Sequence, residues 1–307
     1  MATNKIVVLG SCNTDMVVKS SRLPVPGETI LGGTFMMNPG GKGANQAVAA
    51  ARLGGNVTFI TKTGNDLFGR QSIELYNDEH INTDYIYSDP DLPSGVALIS
   101  VDEKGENCIV VASGANGTLL PPDLVEAEKE ITSACILLMQ LEIPMETVEY
   151  AAKKAKENNV KVILNPAPAQ PLSNDFLKNV YMMIPNETEA EIISGVKVHD
   201  WESAKKAADI ICSKGVQIVV ITMGSMGALL KEGNEYHKIS ALKVDAVDTT
   251  AAGDTFCGAI SVAISEGKNL KDAIAFANQS SAITVTRMGA QSSIPYRREV
   301  VMTNTGI

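Results

Sequence analysis

Asp254 follows three small residues, Ala251, Ala252 and Gly253, where one sequence pattern gives way to another. Upstream, residues 239–247 alternate in polarity and read as strands; downstream, residues 256–264 are rich in Ala, Gly, Ile and Val and read as a buried helix. The first turn of a helix leaves backbone N–H groups unpaired and carries the positive end of its dipole, so small side chains there leave room for an anion. With Asp254 in that turn, a carboxylate and an anion hole of Ala251, Ala252 and Gly253 face one small volume. The combination suits phosphoryl transfer, in which a base takes a hydroxyl proton while fixed donors hold charge on the moving group. A first-turn acid also complements a helix dipole without doing chemistry, and the local sequence is compatible with both readings.

A second glycine-rich corner, Gly40-Gly41-Lys42-Gly43-Ala44-Asn45, leads into a helix over residues 44–53 that Gly54 closes. Its glycines let the backbone and Lys42 approach a ligand, but it is not a Walker A loop, because Gly rather than Ser or Thr follows the lysine. A flexible hinge is the plainer reading of the same glycines. Residues 6–10 are a short apolar run ending in Gly, as in a buried parallel strand. Asn13 and Asp15 lie just beyond it, where open α/β sheets place ligands. They suit sugar hydroxyls, with an Asx-turn as the bland alternative. The loop 11–15 lacks G-x-G-x-x-G, which removes the dinucleotide fingerprint of a Rossmann dehydrogenase. Glu142 closes a strand over 135–141, Asn186 and Glu189 have the spacing of a helix capping box, and Gly224-Ser225-Met226-Gly227 ends a strand over 217–222 in a loop able to wrap a phosphate.

These residues need a scaffold, and the chain supplies one. Strand and helix alternate over 57–61, 68–78, 119–130, 135–141, 145–157 and 160–164, a strand covers 181–184, and Gly233-Asn234 marks a hairpin turn. Helices over 253–266 and 270–286 follow the Asp254 corner, then a loop over 287–291 and a polar tail from Tyr296 that is expected to fray. The pattern predicts one α/β domain over 1–307, a mostly parallel sheet with helices on both faces. Two β excursions, about 15–39 and 95–112, interrupt it and predict a small β-sheet lid.

Composition narrows the chemistry. A net charge of −9 without a basic run argues against nucleic-acid binding. No apolar stretch approaches a membrane span or a secretory signal. Five scattered cysteines without a C-x-x-C pair predict reduced thiols in a cytoplasmic protein. Three isolated histidines leave little for a Ser-His triad or a zinc site, so catalysis rests on carboxylates, lysine and backbone dipoles.

Together, Gly40–Asn45, Asn186-x-x-Glu189 and Asp248-Thr249-Thr250-Ala251-Ala252-Gly253-Asp254, in this order and spacing, resemble the PfkB carbohydrate kinase family over nearly the whole chain. The resemblance implies a three-layer α/β/α sandwich with a β-sheet lid that pairs two subunits into a homodimer. It places the sugar on Asn13, Asp15, Gly41, Lys42, Gly43, Asn45 and Glu142, with Asp254 as the base for a ribose 5-hydroxyl. ATP falls on Asn186, Thr222, Gly224, Ser225, Gly227, Gly253 and Asn278, and Glu189 helps place Mg2+ indirectly. A monovalent cation, usually K+, falls on Asp248, Thr250, Thr284, Arg287, Gly289 and Ser293, largely through carbonyls. Ala251 stands where many members have Gly, which a negative φ would accommodate.

Physical arguments favour a free pentose within that family. A nucleoside kinase needs aromatic surfaces to stack a base, and residues 10–18 contain none. A phosphorylated hexose needs a second cationic clamp, and only Lys42 is clearly placed. Kinases for deoxyribose, fructose or nucleosides are the neighbouring readings. A silent sugar-binding regulator is the reading from another class, although a mere binder has no need of Asp254.

Overall fold

Short apolar strands separated by amphipathic helices satisfy their backbones in a sheet covered on both faces. The computed structural model describes residues 4–304 and the side chains of residues 4–300, and it has that arrangement. The strands are β1 (Lys5–Leu9), β2 (Asn13–Lys19), β3 (Thr34–Gly40), β4 (Asn56–Gly64), β5 (Ile86–Asp89), β6 (Gly95–Val101), β7 (Asn107–Ala112), β8 (Ile136–Met139), β9 (Lys161–Leu164), β10 (Met182–Met183), β11 (Ile218–Thr222), β12 (Ala228–Glu232) and β13 (Glu235–Ile239). The helices are α1 (Lys42–Arg52), α2 (Leu67–Asp78), α3 (Glu128–Ser133), α4 (Met145–Glu157), α5 (Asn174–Leu177), α6 (Glu187–Ser194), α7 (Trp201–Ser213), α8 (Ala252–Ser265), α9 (Leu270–Thr284) and α10 (Arg297–Asn304).

Nine strands form the main sheet in the order β13-β12-β11-β10-β9-β8-β1-β4-β5, antiparallel only at the β11–β12 and β12–β13 pairings. Strand order runs outward in both directions from β1, so the loops at its carboxyl end open a crevice where such sheets hold ligands. The core splits across the sheet: Ile6 and Val8 of β1 join one cluster, Val7 and Leu9 the other. Full burial of aliphatic side chains such as these contributes roughly 1.5–3 kcal/mol each.

A separate four-stranded sheet, ordered β3-β2-β6-β7, rises from the crevice. Its register puts Asp15 opposite Asn38 and Ala97 on one face, and Met16 opposite Met37 and Leu98 on the other. These strands occupy the two β excursions seen in the sequence.

Helices α1 and α8 cross closely because their contact is made of small residues. A Cβ on Gly258 would fall 2.6 Å from Ala49 Cβ and 2.8 Å from Ala50 N, so only glycine permits the approach. That contact brings Asn45 and Gln46 of α1 against the start of α8.

Three sequence expectations differ from the structure. Residues 240–247 are not a strand: β13 ends at Ile239 on the sheet edge, and Leu242, Val244 and Val247 are exposed with no neighbouring strand to pair with among the described residues. The stretch 119–130 is not one element, because Pro121-Pro122 opens a short 3-10 turn at Pro121–Leu124 and the helix starts only at Glu128. The tail from Tyr296 does not fray where it is described. Arg297 donates to Glu266 and to the Leu53 carbonyl, Glu299 accepts from Arg287, and Val300 is buried. Its last three residues lie outside the described residues. Arg52 completes this seam by donating to the carbonyls of Gln291 and Ile294.

Candidate active site

Helix α8 begins at Ala252, and its buried face runs unbroken from Asp254 to Ile264. The Ala252 N–H donates to the Thr249 carbonyl at 3.3 Å, whereas Gly253 and Asp254 follow in the first turn, where no intrahelical acceptor exists. No heavy atom comes within 4 Å of a Cβ built on Gly253, so that side of the turn is open. Ala251 is the N-cap at φ +60°, not the negative φ expected for a side-chain-bearing residue. The left-handed conformation costs an L-residue roughly 1–2 kcal/mol.

The Asp254 carboxylate is held on both oxygens. Asn45 Nδ2 donates to Oδ2 at 3.0 Å and Gln46 Nε2 to Oδ1 at 3.0 Å. Lys42 is half-buried nearby. Burial by itself would lower its ammonium, but the carboxylates of Asp254, Glu142 and Glu189 outweigh that and raise it, so it remains a cation.

The glycine corner is built around Glu142. Its Oε2 accepts from Ser11 Oγ at 2.5 Å and from the Lys42 N–H at 3.1 Å. Gly41 has φ +89°, and a Cβ there would lie 2.7 Å from Asn13 N; a Cβ on Gly43 would lie 2.6 Å from the Ser11 backbone. The glycines therefore let this turn press against the loop after β1. Asn13 is buried, its Oδ1 accepting from Asn116 Nδ2 at 2.8 Å, while Asn116 also bonds both backbone groups of Cys12. Asp15 is half-buried on β2. Burial first, then the negative charges of Glu142 and Asp254, push its carboxyl up to about 6 against the pull of Lys42.

One cavity of about 200 Å³ is lined by Lys42, Asn186, Glu189, Thr222, Gly253 and Asp254, together with Asn165, Ala251 and Cys257. Asn186 caps α6 through Glu189 N at 2.8 Å, and Glu189 Oε2 returns to Asn186 N at 2.9 Å, which leaves Glu189 its other oxygen. Burial raises the Glu189 carboxyl despite that bond. Asn278 is apart from this group. It donates to the carbonyls of Ile239 and Ser240 and lines a second cavity of about 380 Å³ with Leu242, Phe276 and Lys268. Gly224, Ser225 and Gly227 line neither; they form a 3-10 turn in which Gly227 takes φ +103° against the Ile239 carbonyl.

The residues assigned to a cation come from two loops tied by one carboxylate. Asp248 Oδ1 accepts from Thr250 N and Oγ1, and Oδ2 from Gly289 N at 2.9 Å. Those bonds outweigh burial and hold the carboxyl below its usual range. Val285 accepts from Val247 N and Asp248 N, next to Thr284. The Arg287 side chain turns away to Glu299, and Ser293 Oγ donates to the Ala290 carbonyl. The Asp248 carboxylate, with one bond on Oδ2 and two on Oδ1, keeps lone-pair capacity toward a cation.

Sequence reasoning missed Gln46, Gln140, Asn165 and Asn116 as members of the site. Gln46 carried a signal: beside Asn45 it is a second polar residue inside the Ala-rich helix sequence, and the structure buries it fully. Gln140 interrupts the apolar run 135–141 in the same way. Asn116 follows a hairpin and carried none.

The chain matches the pfkB family carbohydrate kinase over residues 3–297. It is 46% identical over 296 residues to a ribokinase of Haemophilus influenzae, covering 96% of this chain and 97% of that protein. A ribokinase of Staphylococcus aureus is 43% identical over 300 residues, covering 97% of this chain and 99% of the relative. Among solved structures, the Arabidopsis thaliana ribokinase complexed with ribose and ATP superposes with a TM-score of 0.92 at 33% identity, covering 98% of each chain.

Proposed function

We infer that this chain, which belongs to the pfkB family of carbohydrate kinases, phosphorylates the 5-hydroxyl of D-ribose with ATP, giving ribose 5-phosphate and ADP. The observation that carries this reading is the Asp254 carboxylate, held at the open first turn of α8 in one cavity with Lys42. Asp254 takes the hydroxyl proton, the hydroxyl oxygen bonds to the γ-phosphorus, and the bond from that phosphorus to the bridging oxygen of ADP breaks. The backbone of the Ala251, Ala252 and Gly253 anion hole, joined by the Asp254 N–H, meets the charge that gathers on the moving phosphoryl oxygens. Asn13, Asp15 and Glu142 supply the acceptors and donors for the sugar hydroxyls, with Gly41, Lys42, Gly43 and Asn45 closing the same subsite. Asn186, Thr222, Gly224, Ser225, Gly227 and Asn278 receive the nucleotide.

Two ions fit the donor chemistry. Mg2+, which neutralises phosphate charge when bound, suits the free oxygen of Glu189, acting indirectly. A monovalent cation, K+ before Na+, suits Asp248 together with Thr250, Thr284, Arg287, Gly289 and Ser293, largely through carbonyls, with the Asp248 carboxylate also tying the loops. The small sheet serves as a lid. Its outer face exposes Phe35, Met37, Leu98 and Val110, an apolar surface that a second copy would cover in a homodimer. A cytoplasmic location accords with five unpaired cysteines; among the described residues no helix is long and apolar enough to cross a membrane.

The test is ADP release against pentoses, hexoses and nucleosides at saturating Mg-ATP. Ribose is expected to give the highest kcat/KM. A nucleoside or hexose that surpasses it, or tight ribose binding without ADP, overturns the reading.

A further inference from the structure

Three buried amides stand behind Asp254, and their orientation is fixed from a single backbone carbonyl outward. The Ile184 carbonyl can only accept, so the Asn165 amide turns its Nδ2 toward it, at 3.0 Å. Asn165 Oδ1 then faces Gln46 and accepts from its Nε2 at 3.1 Å. The same Nε2 donates to Asp254 Oδ1 at 3.0 Å, and the Gln46 oxygen accepts from Gln140 Nε2 at 2.6 Å. Gln46 and Gln140 are wholly buried. The far oxygen of Gln140 has no hydrogen-bond partner among the described residues, and a Cβ on Gly10 would lie 2.0 Å from it, so the amide is wedged over the end of β1. Flipping any one amide would set two acceptors or two donors face to face, which a buried site does not tolerate.

We propose that Gln46, locked by Gln140 and Asn165, is a positioning residue for the phosphoryl transfer: it fixes the plane and rotamer of Asp254 so that the base meets the sugar hydroxyl already aimed. This rests on the reading of Asp254 as the base. Asn45 restrains the other oxygen from the neighbouring position on α1, but with one restraint alone the carboxylate would be free to swing about its Cβ–Cγ bond. Gln46 does not itself line the cavity, so it acts on the reaction through the groups it holds, Asp254 and Asn165, of which Asp254 alone is the base. An unpartnered buried oxygen on Gln140 is costly by itself, which accords with an arrangement kept for aim rather than for stability.

The experiment is a double-mutant cycle in steady-state kinetics, with thermal unfolding to confirm that each variant is folded. Gln46→Met keeps the length and removes the donor. It is expected to lower kcat by ~10–100-fold, the scale on which sub-ångström misplacement acts, and to leave KM for sugar and for ATP within about two-fold. In an Asp254→Asn background the same change is expected to have almost no further effect on the residual rate, because the group it aims is gone. An equal loss in both backgrounds, or a loss in KM rather than kcat, overturns the proposal and makes Gln46 a packing residue. Should Gln46→Met not fold, Gln140→Met loosens the Gln46 oxygen instead. A few-fold kcat loss, absent with Asp254→Asn, is expected, and an unchanged kcat overturns the proposal. Full turnover by Asp254→Asn alone would instead sink the assignment of the base, a separate outcome.

Discussion

Two carboxylates face the same crevice from opposite supports. Asp254 is on a buried helix of the main domain with an amide donor on each oxygen. Asp15 is on the small sheet, with no hydrogen bond to either oxygen among the described residues; Lys42 offsets its burial and the charges of Glu142 and Asp254. The first is oriented before any ligand arrives. The second is left short of partners, as an acceptor awaiting hydroxyl donors would be. The difference separates a group built for chemistry from one built for recognition, and the two should fail differently.

Removing the base is the largest break. Asp254→Asn keeps the shape but cannot take a proton, and kcat should fall ~10²–10⁴-fold with sugar binding retained. Stopped assays for ADP, with ribose affinity measured alongside, check both halves. Asp15→Ala should do the reverse. Its loss leaves hydroxyls without an acceptor in a closed site, roughly 1–3 kcal/mol, expressed as a higher KM for ribose with KM for ATP little changed. Asn13→Ala should follow the same pattern. A rise in the ATP KM instead would mean that the small sheet does not face the sugar.

pH sharpens the contrast. The Asp15 carboxyl titrates near 3.8 in an ordinary setting and at about 6 here. Between those values the folded protein binds a proton that the unfolded chain does not, so acidification through this window stabilises the free fold through this group. The same proton removes the acceptor that the sugar needs. At pH 5 roughly a tenth of the carboxylate remains, so KM for ribose should rise about ten-fold relative to pH 7. Asp15→Asn should flatten that limb, which pH profiles of wild type and variant would test.

The smallest effect belongs to the corner beside Asp254. Ala251→Gly relieves a left-handed alanine worth roughly 1–2 kcal/mol and adds about 0.4–1 kcal/mol of unfolded-chain entropy. A net stabilisation of about 0–1.6 kcal/mol, a rise of a few degrees or less in Tm, is expected. A lower Tm would show that the alanine methyl contributes packing that outweighs its strain.

Local sequence signals account for much of this arrangement. Apolar strands, the Ala-rich α1, the Gly233-Asn234 hairpin and the Asn186–Glu189 capping box were legible because short-range physics decides them. The amides around Asp254 were not, since Gln46, Gln140 and Asn165 are each unremarkable until the fold makes them neighbours. The φ of Ala251 and the unpaired stretch 240–247 escaped for a related reason. Alternation and residue size do not report whether a partner strand exists or which way a backbone turns.

The seam between α1 and the end of the chain has a consequence for how the molecule is made. Arg52 and Leu53 leave a ribosome 239 to 244 residues ahead of Gln291, Ile294 and Arg297, whose carbonyls and guanidinium they meet. Asn45 likewise waits 209 positions for Asp254. A nascent chain halted before Gln291 would contain every residue assigned to the sugar and still lack the clasp on the helix that bears three of them. Contacts this distant in sequence form slowly and late. Synthesis must therefore pass Arg297 before the early helix α1 gains the clasp that holds its far end.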